Sequence, residues 1–412
     1  MAAFNVVTVL FMLAVGYSDR VDPVAHPLVA NVGLLFPVFL VLNVAFLVFW
    51  LVFCKRGALI ALGGLVVCFG PVRTYTPLNV PSSAPEGALK VISYNVYCFK
   101  TWTDFTQSSE ILDYLVREDA DIVCMQEGDC YGRVRELVDS VMNAHYEYSE
   151  QHASDGPEGG DLIRIYSKLP IVGHERISGK ETYNAMAYKV KTGERDTTLV
   201  VVAHLQTTGL SPEDRTRFKS MLKGDMEGEE RKQETRRLWS ILGEASAKRA
   251  PQVDAVADYV AKHKGQSIIL AGDFNDSPIS YAHRRLASEL TDCYIASANG
   301  PGISYHYNCF YVRIDNIMCS EHWTPYECRV LTLGISANSR KYCASIIGSV
   351  LTVSISTSPV STFFGCLRVS NMLSISAKYC STGAKFISSR HTKNGTFGNI
   401  FAFTKNFTNF VN

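Results

Sequence analysis

The chain holds no aspartate after Asp315 and no acidic residue of any kind after Glu327. From Leu333 to Asn412 it carries 14 Ser and 8 Lys or Arg, with no counter-charge. Basic residues so thinly spread make no anion-binding patch. No helical or strand period is sustained over that segment. The N-terminus lacks charge altogether in three runs, Met1 to Ser18, Pro27 to Cys54 and Gly57 to Val72. The 12 Cys include no CxxC pair, which excludes the usual zinc and thiol-redox signatures. With 412 residues the chain needs no disulfide framework to build a core. Its net charge is only +1, so no global field draws nucleic acid or another charged partner. The basic and aromatic clusters of a nucleic-acid binder are missing too.

The uncharged runs carry their own message. "LLFPVFLVLNVAFLVFWLVF", Leu34 to Phe53, matches the ~20 apolar residues that cross a bilayer. The first and third runs are shorter, so residues 1–73 are expected to form an anchor of two to three transmembrane helices in contact with a lipid bilayer. A cleaved signal peptide accounts for the first run alone. Lys55-Arg56 separate the second and third runs, whereas the loop "DRVDPVAHP" before the second has one Arg and two Asp. Positive-inside logic places Lys55-Arg56 in the cytoplasm and everything after Arg73 outside. Residues 74–88, with "TPLNVPSSAPEGA", read as a linker.

From Leu89 the pattern is α/β. "KVISYNVYCF", "DIVCMQE", "TLVVVAHL", "SIILAGDFN" and "YVRIDNIMC" are short apolar strands. Between them lie helical periods, including Ile111, Leu112, Leu115 and Val116. Arg231 to Lys264 is also helical, with Pro251 expected to start or kink a second helix. Asn95, Glu127, His204, Asp273, Asn275 and Asp315 share one address, within or just beyond an apolar run. Any one alone reads as a turn or cap residue. Strands laid side by side gather all six at one edge, where a site can form. Carboxylates and amide oxygens without thiolates suit a hard cation such as Mg²⁺ or Mn²⁺. That donor set fits metal-assisted attack of water on a phosphate ester.

"SYNV", "DIVCMQE", "VAHL", "GDFND" and "RIDNI", in that order, resemble the motifs of the endonuclease/exonuclease/phosphatase, or DNase-I-like, superfamily. That family includes DNases, abasic-site endonucleases, sphingomyelinases and inositol-polyphosphate phosphatases. The resemblance covers roughly Lys90 to Val330, and the leading helices are similar to those of a bacterial membrane-anchored branch. It implies a four-layer α/β sandwich and a Mg²⁺-dependent phosphodiesterase or phosphomonoesterase on the periplasmic side of an inner membrane. Glu127 is then the metal ligand, supported by Asn95. His204 donates to a phosphate oxygen, Asp273 activates water, and Asn275 holds the phosphate from an extended segment. Asp315 pairs with a His from the closing motif.

That closing Ser-Asp-His motif is missing. His322 lies seven residues past Asp315 and His391 is far beyond it, and neither is a convincing replacement. The domain is therefore expected to span residues 89–331 without its last strand. Residues 332–412 then form an atypical Ser-rich tail, either native or the product of a frameshift. Its apolar "ASIIGSVLTVSIS" could pair in place of the lost strand, without the chemistry. Two outcomes stay open: an impaired phosphate-ester hydrolase, or a non-catalytic binding protein or inactive product on the same fold. The charged insert Ser211 to Glu234 reads as a solvated helical excursion or a lid.

Overall fold

The computed structural model describes residues 1–100, 102, 108–155, 161–178, 183–307, 310–332 and 349–357. Two helices are long and apolar enough to cross a membrane, Ala2–Arg20 and Pro27–Phe53. Lys55–Val67 and Phe69–Tyr75 add a third span if they act as one, with a 71° bend between them. Inside this bundle, Asn5 Nδ2 donates to Asn43 Oδ1 at 3.2 Å and Trp50 Nε1 to Asn5 Oδ1 at 3.0 Å. Polar groups with no access to water need such partners.

The bundle meets the rest of the chain at one end. Trp239 Nε1 donates to the Leu28 carbonyl at 2.7 Å, and Ser246 Oγ to Asn31 Oδ1 at 3.0 Å. Arg313 Nη2 donates to the Thr74 carbonyl at 2.8 Å. The linker is docked as well, with Asn79 Nδ2 donating to the Ile295 carbonyl at 3.0 Å. Lys55-Arg56 lie past the far end of Phe36–Phe53. At 1.5 Å per residue that helix is ~27 Å long.

The strands run in chain order as β1 Leu89–Asn95, β2 Ile122–Gln126, β3 Tyr148–Ala153, β4 Leu162–Ser167, β5 Ile171–Ser178, β6 Asn184–Lys191, β7 Thr197–His204, β8 Ser267–Asp273, β9 Thr291–Asp292, β10 Tyr305–Tyr307, β11 Phe310–Val312, β12 Asp315–Cys319, β13 Trp323–Thr332 and β14 Ser349–Thr357. One sheet has the order β13-β14-β1-β2-β4-β3 and the other β5-β6-β7-β8-β12-β9, while β10 and β11 pair as a separate hairpin. Successive side chains on a strand face opposite ways, so each sheet has two apolar faces to cover. Val91, Ile122 and Ile165 meet Val200, Ile269 and Ile317 between the sheets. On the outer faces, Leu112, Leu115 and Met142 cover Ile92 and Val123, while Val253, Val256 and Val260 cover Val201 and Leu270. This is the four-layer α/β sandwich.

Three expectations change. The sheet does not stop at residue 331. β14 inserts between β13 and β1, antiparallel to both, with Val353 opposite Val91. Leu351, Val353 and Ile355 are buried between the sheets, and Tyr114 reaches Thr352 Oγ1 on the outer face at 3.3 Å. β14 falls in the apolar "ASIIGSVLTVSIS", the stretch expected to be able to pair here, and Leu351 to Ser356 alternates apolar and polar residues. Secondly, Pro251 does not start a second helix, because one helix, Gly228–Lys262, contains it. Residues on both sides of that proline, among them Leu242, Ala245, Val253 and Val256, are buried. Thirdly, Asn275 is not on an extended segment, as its φ is +52°. In the insert, Pro212–Lys223 is helical, capped by Ser211 and Asp214 in a reciprocal box.

Candidate active site

Strand pairing sets the address of each polar group. Parallel β1 and β2 put Asn95 beside Gln126, with Glu127 next in line. Parallel β7 and β8 put His204 beside Asp273, and antiparallel β12 brings Asp315 opposite Asp273. The two sheets join here: Asn95 Nδ2 lies 3.0 Å from Glu127 Oε1 and 3.1 Å from Asp273 Oδ2. Asn95 Oδ1 accepts from the Tyr97 N–H at 3.0 Å. In this arrangement Asn95 steadies two carboxylates from one amide nitrogen.

The backbone is strained where these groups sit. Glu127 and Asn275 have φ of +48° and +52°, the left-handed region that non-glycine residues rarely occupy. Tyr97, Cys98 and Phe99 lie there too, and the Cys98 N–H donates to the Glu127 carbonyl at 2.8 Å. Asn275 is pinned: its N–H donates to Asp273 Oδ1 at 2.8 Å and its Nδ2 to the Leu205 carbonyl at 3.0 Å. Buried Arg249 braces both loops, donating to the Gln206 carbonyl at 2.8 Å and to Asp276 Oδ2 at 2.5 Å. An apolar-walled cavity opens beside Asn275, lined among others by Leu34, Leu210, Leu242 and Phe310. Leu34, from the second of the two long apolar helices, thus forms part of its wall.

Asp161, absent from the sequence-based set, belongs to the site. Its Oδ1 accepts from the Glu127 N–H at 3.1 Å and stands 3.0 Å from His204 Nδ1. It directly precedes the apolar β4, whereas the others lie within or just beyond an apolar run, and "GGD" reads as a turn. Glu127 Oε1 lies 3.8 Å from His204 Nε2. Burial alone pushes the His204 imidazole down; Asp161, then Asp273 and Glu127, outweigh that and hold it up at about 10. His204 and Asp161 thus form a buried ion pair. Asp315 has its carboxyl raised well above the usual range, by burial first and the Asp273 charge second, against the pull of Ser304 and His204.

The cluster holds more negative than positive charge. Glu127, Asp161, Asp273 and Asp315 converge around a single imidazole. Asp161 Oδ2 and Asp315 Oδ1 are buried and make no hydrogen bond. A buried carboxylate oxygen without a partner is costly, and a hard divalent cation supplies what this oxygen-rich set lacks. His322 is elsewhere: it is exposed beyond the opposite end of β12, with Nδ1 3.2 Å from Ser320 Oγ. His391 lies outside the described residues.

No curated protein sequence matches the chain. Among solved structures, a humanized D. rerio TDP2 is 15% identical, with 65% of this chain and 99% of that one covered and a TM-score of 0.44. The human Nocturnin catalytic domain with bound sulfate is 16% identical, with coverage of 66% and 94% and a TM-score of 0.43. A family protein from Leptotrichia buccalis is 12% identical, with coverage of 65% and 100% and a TM-score of 0.43. Residues 1–75 match a domain of unknown function. Residues 92–349, more than half of the chain, match the model of the endonuclease/exonuclease/phosphatase family. By that match and by the sandwich that carries its motifs, the chain belongs to this family, whose members hydrolyse phosphodiester or phosphate-ester bonds.

Proposed function

We propose that the protein is a membrane-anchored, metal-dependent hydrolase of phosphate esters whose turnover is reduced by the missing closing Asp-His. The observation that carries this is the meeting of Asn95 and Glu127 from one sheet with His204, Asp273 and Asp315 from the other. Glu127, held by Asn95, is the ligand for Mg²⁺ or Mn²⁺, which when bound lends positive charge to the phosphate oxygens. Asp273 takes the proton of the attacking water as its oxygen closes on phosphorus. Protonated His204 donates to a phosphate oxygen and stabilises the charge that develops there. Asn275 fixes the loop that the phosphate must approach.

Replacing Glu127 by Gln keeps the size of the side chain and removes its charge. In a chain given a complete closing strand, Glu127→Gln should lower turnover at least ~10²-fold and shift the Mg²⁺ requirement upward. Diester and monoester assays across a Mg²⁺ titration read both. Unchanged turnover and titration would take Glu127 out of the site.

The catalytic domain belongs on the face away from Lys55-Arg56, the periplasmic side of a bacterial inner membrane. Charge asymmetry between the two short loops motivates this. The domain's contacts with Asp19–Asn31 and Arg73–Asn79, one helix length from Lys55-Arg56, support it. A reporter active only in an oxidising compartment, fused after Pro77, should give signal. Signal solely from a cytoplasm-active reporter reverses the topology.

A further inference from the structure

A second group of ligand-type side chains lies outside that site, where the two sheets meet at their other edge. β3 ends one sheet and β5 ends the other. Glu150 and His152, two apart on β3, share its inward face. His174 projects from β5 toward them. Its Nδ1 is 2.8 Å from Glu150 Oε2, and His152 Nε2 is 4.0 Å from the same oxygen. The two imidazole centroids are 4.3 Å apart, and one donor atom from each of the three residues lies within 4.8 Å of the other two.

Three features turn this from a polar patch into a ligand set. Metal–ligand distances of 2.0–2.2 Å in a tetrahedron put donor atoms ~3.3 Å apart, and 2.8 and 4.0 Å bracket that spacing. Glu150 Oε2 is buried and makes no hydrogen bond, although two imidazoles flank it. His152 Nδ1 lies 3.1 Å from the buried Tyr188 hydroxyl, which leaves Nε2 as the nitrogen facing the cluster. That outer contact is the kind that orients a ligating imidazole.

We propose that Glu150, His152 and His174 form a zinc-class transition-metal site that clasps the edges of the two sheets. Two imidazoles and a carboxylate select Zn²⁺, Co²⁺ or Ni²⁺ over Mg²⁺. The site leaves a fourth position for water or an outside ligand. It is separate from the catalytic cluster: His174 pairs with Tyr188 on β6, whereas His204 pairs with Asn184. Four residues of strand place those two levels ~13 Å apart.

The test uses the full chain in detergent, stripped by a chelator and held in millimolar Mg²⁺ to occupy the hard-oxygen site. Titration with Co²⁺ should give one equivalent with the visible absorption of a low-coordinate nitrogen and oxygen site, displaced by Zn²⁺. Glu127→Gln should keep that band. His174→Ala, at a half-exposed position that the fold tolerates, should abolish it, and His152→Ala should do the same. Zn²⁺ should raise the melting temperature of the unmodified chain and of Glu127→Gln but not of His174→Ala. A band that survives in His174→Ala, or disappears in Glu127→Gln, overturns the proposal. So does the absence of any band in the unmodified chain.

Discussion

Giving this chain a Ser-Asp-His strand in place of the segment after Thr332 should raise phosphate-ester hydrolysis by at least ~10²- to 10³-fold. That is the usual worth of one donor aimed at developing negative charge. Asp315 is already in position for the missing partner, opposite Asp273 on β12 with a buried Oδ1 that has no hydrogen bond. The imidazole acting on it is His204, which is itself committed to Asp161. Residues 333–348 contain neither His nor Asp. A restored His would be held by Asp315, and the two losses would not simply add, because they act as one unit. The assay compares the two chains on a generic diester and a generic monoester with Mg²⁺. Equal rates, both abolished by Asp273→Ala, would sink the idea of a defective ending and assign the donor role to another residue.

Ending the chain after Gly348 should leave the sandwich domain unable to fold, whereas ending it after Ser358 should leave it folded. The two truncations differ essentially by β14. Leu351, Val353 and Ile355 are fully buried between the sheets. At ~1.5–3 kcal/mol each, their loss costs ~5–9 kcal/mol before any backbone bond is counted. A whole domain has only ~5–15 kcal/mol of net stability. Removing β14 also exposes the facing edges of β1 and β13, which invites pairing between chains. Chemical denaturation of the two truncated chains, followed by circular dichroism, reads the difference. Matching midpoints, with the shorter chain still cooperative, would show that β14 is dispensable.

Particular residues show how far the one-dimensional reading reached. The apolar runs before Asn95, Glu127, His204 and Asp273 are buried strands, and each polar residue that follows one is at the site edge, as its position implied. Asp161 breaks that rule: it precedes its strand, and it reaches the same edge because β4 runs antiparallel to β2. Asn275 was placed on the correct edge with the wrong backbone, because a left-handed turn leaves no periodic signal. Leu351 to Ser356 lies in the "ASIIGSVLTVSIS" that could be read as able to pair, but its partners and register have no trace in the sequence.

Residue order alone determined the long apolar N-terminal helices, the α/β alternation and the five family motifs. Those depend on local period, apolar length and side-chain chemistry, which a linear chain displays directly. Only the tertiary structure decided that Ser349–Thr357 completes the first sheet, that Asp161 holds His204, and that Glu150 and His152 face His174. Each of those joins groups distant in sequence, and their meeting depends on which strands pair, in what register, and on how two sheets close over one core. A side chain's own neighbours along the chain carry no record of that.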